Sequence, residues 1–358
     1  MNKTDATAVA TQDDWSIEAD LDAICDATGS AWSALRGARV FITGGTGFIG
    51  RWLLESLRHA NRRFGLDAKA TILTRNPGAF AKKAPELAAY EGFDFVTGDV
   101  QTFSFGHEAY NFMIHAATDA SAALNEHNPR LMYDTIVNGT HRALEFADHH
   151  RAPMLFLSSG AVYGQQPWEM SHVSEDYTGG PKCNDARNTY AEAKRAAEML
   201  CAIFSKQNGV SVVTARIFAL LGPFLPLGTH FAAGNFLRDA MDGKPVVVNG
   251  NGLPCRSYLY TSDLAAWLWR MLLEGRPGSV YNVGSEESVS VAELAEHVAQ
   301  RVGTGEFKVL GAADTGWNPG RYVPDISAIQ RDLGVTRTVS LDDAIVRTAL
   351  ANGWNRRT

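Results

Sequence analysis

The sequence predicts an α/β protein: a doubly wound parallel sheet with a smaller C-terminal region intergrown with it. Three observations carry this. Short apolar runs ending in small or polar residues alternate with helical stretches from position 37 to 218, the order of parallel strands joined by helical crossovers. The first run leads directly into "TGGTGFIG", a glycine-rich turn where a strand gives way to a helix. And 358 residues, 45% of them hydrophobic, supply ample apolar surface for a large core.

The elements follow in order. Residues 1–36 form an N-terminal arm, disordered over its first dozen residues. In it Trp15, Ile17, Leu21, Ile24 and Trp32 are spaced for one or two amphipathic helices packed on the main body. Residues 37–218 form a dinucleotide-binding domain. "ARVFIT", "AKATILTRN", "FDFVTGDV", "FMIHAAT", "PMLFLSS" and "VSVVTARIF" are its strands, and "RLMYDTIVNGTHRALEFADHH" and "NTYAEAKRAAEML" are among its helices. After Gly222 the alternation loosens. Residues 219–256 and 286–350 read as a substrate-binding region, while 257–285, containing "GSVYNVGS", return to the sheet. With no internal repeat or low-complexity linker, the parts are intergrown rather than tethered.

Composition excludes several functions. A net charge of −6 with no Lys/Arg stripe argues against gripping a nucleic-acid backbone. The four cysteines are widely spaced, without CxxC, so neither a zinc site nor a disulfide framework is expected. Reduced thiols and a cytoplasmic location follow as the plain expectation. The N-terminal segment carries acidic residues where a signal peptide needs an apolar run, and no stretch approaches membrane-spanning length, so no membrane partner is expected.

In "TGGTGFIG", Gly44, Gly47 and Gly50 recur at three-residue intervals. The first permits a tight turn, the second lets backbone approach a pyrophosphate, and the third lets the helix pack against the sheet. The helix N-terminus, at Phe48 and Ile49, offers free N–H groups and a partial positive charge to the same anion. This is the arrangement of a Rossmann dinucleotide site, binding NADP or NAD. The next strand ends in Thr74 and Arg75 with no carboxylate. Arg75 could pair with a 2′-phosphate, which favours NADP(H), or lie solvated beside the turn. Asp99, followed by Val100, could accept from the adenine amino group or cap the following turn.

"NTYAEAKRAAEML" places Tyr190 and Lys194 at i, i+4, on one helix face. A nearby cation stabilises a phenolate and lowers the phenol's pKa, making Tyr190 a usable acid/base. Lys194 can also hold a nicotinamide ribose. Ser158 and Ser159, at the end of "PMLFL", could supply a hydroxyl to the same carbonyl oxygen. His115 reads as a satisfied histidine at a strand end, and Trp267 and Trp269 as core filling. His230 and Asn235 lie in the substrate region as plausible sugar or phosphate contacts, without a spacing argument behind them.

In their order, "TGGTGFIG", "GDV", "HAA", "LSSGAVYG", "YAEAK", "RSYLYTSDLA" and "YNVGS" resemble the extended short-chain dehydrogenase/reductases, the NAD(P)-dependent nucleotide-sugar epimerase/dehydratase family. The resemblance covers roughly residues 37–345. It implies Tyr190 as catalytic acid/base, Lys194 as its electrostatic partner and Ser159 at the catalytic Ser/Thr position. It also implies a backbone contact to the cofactor at Ala116 and Ala117, and arginines on the substrate diphosphate at Arg256 and Arg321. It implies a homodimer built on helices near 130–149 and 188–207. Departures matter too. Gly160 and Ala161 stand where 4,6-dehydratases of the family carry an Asp-Glu pair, which disfavours that dehydration. Ala219, Leu221 and Ile136 replace polar or aromatic residues common in relatives, with Asn138 near Ile136.

The resulting expectation is oxidoreduction at C4 of a nucleoside-diphosphate sugar, taken as 4-ketoreduction because Arg75 favours NADP(H). The alternative is a 4-epimerase with tightly bound NAD. A non-catalytic dinucleotide sensor is a reading from a different class, opposed by the joint presence of Ser159, Tyr190 and Lys194.

Overall fold

The computed structural model describes residues 15–118, 122–228, 232–312 and 320–355. Its main sheet has seven strands: β1 Arg39–Thr43, β2 Lys69–Thr74, β3 Phe93–Thr97, β4 Phe112–His115, β5 Met154–Ser159, β6 Val212–Ile217 and β7 Val280–Val283. Their order is β7-β6-β5-β4-β1-β2-β3, and every neighbouring pair is parallel. The chain runs outward from β1 to β3, then returns to β4 on the other side of β1 and proceeds to β7. This reversal opens a crevice at the carboxyl ends of β1 and β4, where ligands bind in doubly wound sheets.

Side-chain alternation along the strands builds two cores from one sheet. Val40 and Ile42 of β1, Ile114 of β4 and Leu155 and Leu157 of β5 join one buried cluster with Trp52, Leu53, Leu268 and Trp269. Phe41, Met113, Met154 and Phe156 point the other way, into a cluster with Phe146, Ala193 and Ala197. Helices α3 Pro129–His150 and α4 Thr189–Asn208 cover this second face. Helices α1 Ile17–Thr28, α2 Phe48–Phe64 and α6 Thr261–Glu274 pack together on the first.

From Trp15 onward the N-terminal arm is part of the core, and its first dozen residues, expected to be disordered, lie outside the described residues. Trp32 is buried against Trp269, ring centroids 5.2 Å apart. Buried Asp20 accepts from Tyr260 Oη at 2.6 Å, Trp15 Nε1 at 2.8 Å and Arg347 at 2.8 Å. Trp267 and Trp269 fill the core as expected. Beyond β6, α5 Ala232–Met241, α7 Val291–Arg301 and α8 Leu341–Ala351 enclose a separate cluster that includes Leu221, Leu237, Leu294 and Ile345. A small sheet sets the two-residue strand Cys255–Arg256 between Val289–Ser290 and Arg321–Tyr322. Among the described residues, no helix is long and apolar enough to cross a membrane.

Candidate active site

The glycine-rich turn is held against the end of β4. Gly44 has φ 73°, and a Cβ there would lie 2.5 Å from the Ala116 carbonyl carbon and 2.6 Å from Ala117 N. Only a residue without a side chain fits both the backbone conformation and the approach. A Cβ on Gly50 would strike the Gly44 carbonyl and lie 2.5 Å from Gly45 Cα, so this position lets α2 seat on the turn. Gly47 is the N-cap of α2, and no side chain caps the helix. The N–H groups around Phe48, Ile49 and Gly50 are therefore available to an anion. Ala116 N bonds Thr43 O at 3.1 Å and Ala117 N bonds Thr43 Oγ1 at 3.2 Å, tying the two strand ends together. These residues fit a dinucleotide pyrophosphate.

His115 lies just beneath. Its Nε2 lies 3.1 Å from Thr140 Oγ1, whose own proton goes to Ile136 O at 2.7 Å, so the ring donates there. Thr43 Oγ1 accepts from Ala117 N and donates its proton to His115 Nδ1 at 2.7 Å. Both ring nitrogens are thus satisfied in the neutral form. Burial, with Lys194 adding to it, pushes the imidazole down to about 3. This is a structural histidine.

At the adenosine end, Asp99 is exposed, and its Oδ1 accepts from Gln101 N at 2.8 Å. It caps the turn, the second of the two roles expected of it. Val100 is buried and packs against Gly139, where a Cβ would meet Val100 Cγ1 at 2.9 Å. Arg75 is exposed directly after β2. Ile136 is buried in α3, and Asn138 reaches Gln101 at 3.3 Å.

Tyr190 and Lys194 both face inward on α4, but they do different things. Lys194 is buried, with Nζ donating to Leu157 O at 2.7 Å and Thr118 Oγ1 at 2.8 Å. Burial brings its ammonium down to about 7, opposed by nearby Glu198. Tyr190 is half-buried. Burial raises its phenol above the ordinary value, and nearby Ser159 opposes the rise. The expected depression of the phenol by Lys194 is therefore not found: the ammonium is spent on backbone and Thr118, one helical turn from the hydroxyl. The start of α4 is fixed by Asn125, which accepts from Tyr190 N at 3.1 Å and donates to Arg187 O at 3.0 Å.

Ser159 and Ser158 separate by parity. Ser159, at the tip of β5, accepts from Ala161 N at 3.1 Å and faces Tyr190. Ser158 shares its side of the strand with Met154 and Phe156, under α4. Its hydroxyl donates to Glu198 Oε1 at 2.5 Å. Expected as a substrate contact, Ser158 instead joins a buried polar network. There Glu198 takes Arg216 at 2.7 Å, Arg216 donates to Tyr163 Oη at 2.8 Å, and Tyr163 donates to Asn282 Oδ1 at 2.7 Å.

Arg256 and Arg321 lie on adjacent strands, with Arg321 paired to Cys255 and Tyr322 to Arg256. Arg256 donates to Cys255 O at 2.8 Å. Arg321 lies 4.5 Å over the Trp168 ring, its buried Nε without a partner. Asn235 is half-buried in the first turn of α5. His230 lies outside the described residues.

Sequence reasoning passed over Thr118, Asn125 and Glu198. Only Glu198 carried a local signal, four residues after Lys194 and on the same helix face. The others reach the site through tertiary contacts.

The geometry matches known proteins. The model of the NAD dependent epimerase/dehydratase family covers residues 40–284. UDP-glucuronic acid decarboxylase 1 of Xenopus tropicalis is 30% identical over 312 residues, 87% of this chain and 71% of that protein. An epimerase of Methanothermobacter thermautotrophicus superposes with a TM-score of 0.76 at 23% identity, over 91% of this chain and 95% of that one. The dTDP-glucose 4,6-dehydratase of Streptomyces venezuelae, solved with NAD bound, superposes with a TM-score of 0.74 at 23% identity, over 89% and 98%. With a parallel sheet, a glycine-rich turn at its switch point and Ser159, Tyr190 and Lys194 at the adjoining strand and helix, the chain belongs to the NAD-dependent epimerase/dehydratase family, within the extended short-chain dehydrogenase/reductases.

Proposed function

We propose that this chain transfers hydride at C4 of a nucleoside-diphosphate sugar, with Tyr190 exchanging the proton of the C4 oxygen. One observation carries the reading: Ser159 at the tip of β5 and Tyr190 in the first turn of α4, the helix packed on β5, lie beside the strand whose end abuts the glycine-rich turn. A bound nicotinamide would supply or take the hydride. The chain supplies the rest. Ser159 hydrogen-bonds the C4 oxygen, and Lys194, with two of its three N–H bonds committed, has one left for a ribose hydroxyl. Arg256 and Arg321 offer planar, bidentate donors to the diphosphate.

We take the net reaction as 4-ketoreduction with NADPH. Arg75, exposed at the end of β2 without a carboxylate beside it, supports a 2′-phosphate. A second reading, 4-epimerisation with retained NAD, is favoured by the relatives, whose names are those of epimerases, dehydratases and decarboxylases. Gly160 and Ala161 offer no acid to carry a C4 ketone on to elimination. The exposed side chains of Leu131 and Tyr133 on α3 and of Met199 and Ile203 on α4 support a homodimer.

The test is to denature the purified protein and identify any released dinucleotide, then supply nucleotide sugars with 4-keto or 4-hydroxy groups. An empty protein that consumes NADPH as the 4-keto sugar is reduced supports ketoreduction. Released NAD with interconversion of C4 epimers supports the second reading. Dinucleotide binding without turnover of any sugar would leave the sensor.

A further inference from the structure

The helix that carries Tyr190 receives its cap from another part of the chain. Helix α4 begins after Asn188, whose side chain gives the helix no cap and donates instead to Lys182 O at 3.0 Å. Tyr190 is the second residue of α4, so no carbonyl within the helix can take its N–H. Asn125 takes it, with Oδ1 accepting from Tyr190 N at 3.1 Å. The Nδ2 of the same amide donates to Arg187 O at 3.0 Å. One side chain thus holds the backbone on both sides of the helix start. Its two partners fix its orientation, since only the amide oxygen accepts and only the NH2 donates.

Asn125 lies on the short helix Ala122–His127, in the connection between β4 and α3. That connection has anchors of its own. Asn128 N donates to Leu124 O at 2.8 Å, and the Asn128 side chain caps α3 by accepting from Leu131 N at 3.2 Å. The connection leaves β4 through Thr118, whose Oγ1 accepts from Lys194 Nζ at 2.8 Å. It therefore grips α4 at two points one helical turn apart, the Tyr190 backbone and the Lys194 ammonium. Ties within the segment that leads into α4 are local: Asn188 N donates to Asp185 O at 2.9 Å and Thr189 Oγ1 to Ala186 O at 2.7 Å. Asn125 is what joins the helix start to the strand end at the dinucleotide crevice.

We propose that Asn125 is a positioning residue of this site: by holding the N–H of Tyr190 it keeps the first turn of α4 formed, and so keeps the phenol where it exchanges the proton of the C4 oxygen. This rests on the reading of Tyr190 given above. A helix end without its cap frays, and a phenol on a frayed turn leaves its place. The glycine-rich turn and Lys194, one turn further in, stay where they are. Loss of Asn125 should therefore slow the chemical step and spare binding.

The experiment compares Asn125→Ala, Asn125→Asp, Tyr190→Phe and the double variant Asn125→Ala/Tyr190→Phe. It measures kcat and KM for the sugar that turns over, Kd for the dinucleotide and the thermal melt. Ala keeps the short helix and removes both bonds. Asp keeps an acceptor for Tyr190 N in a half-buried place, and a negative charge suits a helix N-terminus. For Asn125→Ala we expect kcat to fall roughly 3- to 30-fold, the size of a lost helix cap. KM and Kd should stay within about twofold. Asn125→Asp should stay within about threefold of the wild-type kcat. The double variant should be no slower than Tyr190→Phe alone, because no phenol is left to place. A cap that serves stability alone would lower the melt and leave kcat of the folded protein untouched. Asn125→Leu, similar in size to Asn and without polar atoms, replaces the Ala variant if that one does not fold. Wild-type kcat in Asn125→Ala, a loss confined to KM or Kd, an Asp variant as slow as the Ala variant, or effects that multiply in the double variant would overturn the inference. If Tyr190→Phe loses turnover while Asn125→Ala keeps it, this inference alone fails. If Tyr190→Phe turns over normally, the reading of Tyr190 itself fails.

Discussion

Lys194 Nζ donates to the carbonyl oxygen of Leu157 at 2.7 Å, inside the protein and one helical turn after Tyr190. The lysine ties α4 to β5 and so places Tyr190 relative to Ser159 on the strand tip. Its charge is held at a cost, since burial disfavours the ammonium.

That cost has a pH signature. The folded-state value is about 7 and the ordinary lysine value 10.5, so between them the unfolded chain holds a proton that the folded chain has released. Stability from this group therefore rises with pH across that window. The penalty is fully present below about 7. Relative to Lys194→Met, the wild type should gain about 1.4 kcal/mol per pH unit from pH 7 towards 10. Denaturant unfolding of both proteins at several pH values measures it. A difference independent of pH would show that the lysine is not strained by burial.

The two serines should respond oppositely to truncation. Ser159→Ala removes a hydroxyl that faces Tyr190, and should cut kcat with a small change in stability. Ser158→Ala removes a bond to the Glu198 carboxylate, and should cost about 1.5–3 kcal/mol of stability with activity largely retained in the folded fraction. Parallel thermal melts and rates would separate them, and a Ser158→Ala variant that folds normally but has lost turnover would reverse the assignment.

Arg75 decides the cofactor in our reading. Replacing it with Ala should weaken NADPH binding by about 1.5–3 kcal/mol, roughly 10- to 100-fold, while NAD binding hardly changes. Titration of both dinucleotides into wild type and variant checks this. Equal effects on the two would remove the argument for NADPH.

The arm should be indispensable to the fold. Trp32 is 1% exposed and meets Trp269. Trp32→Ala should cost about 3–5 kcal/mol. Deleting residues 1–36 should do worse, exposing the apolar face of α6 and leaving Tyr260 and Arg347 without Asp20. A deletion variant with an unchanged melting temperature would contradict the packing described.

What was legible in the sequence was local. Gly44 and Gly50 could be read because their constraint lies within one strand–turn–helix unit. The doubly wound parallel sheet follows from the alternation of strands and helices, and Val280–Val283, within "GSVYNVGS", returns to it beside β6. Tyr190 and Lys194 were found because i, i+4 spacing is a property of one helix, but their mutual influence was not. It depends on which way a long side chain turns, and that was settled by Leu157 and Thr118 on other elements. The adjacent letters Ser158 and Ser159 look equivalent until strand parity sends one towards Glu198.

The most direct test of the account is turnover by Tyr190→Phe. With the sugar and dinucleotide that support wild-type catalysis, appearance or loss of the reduced nicotinamide absorbance is followed in a single turnover. We predict dinucleotide binding like the wild type and a rate lower by about 100- to 10,000-fold. A phenylalanine variant as fast as the wild type would show that the phenol moves no proton, and that hydride transfer here proceeds without it.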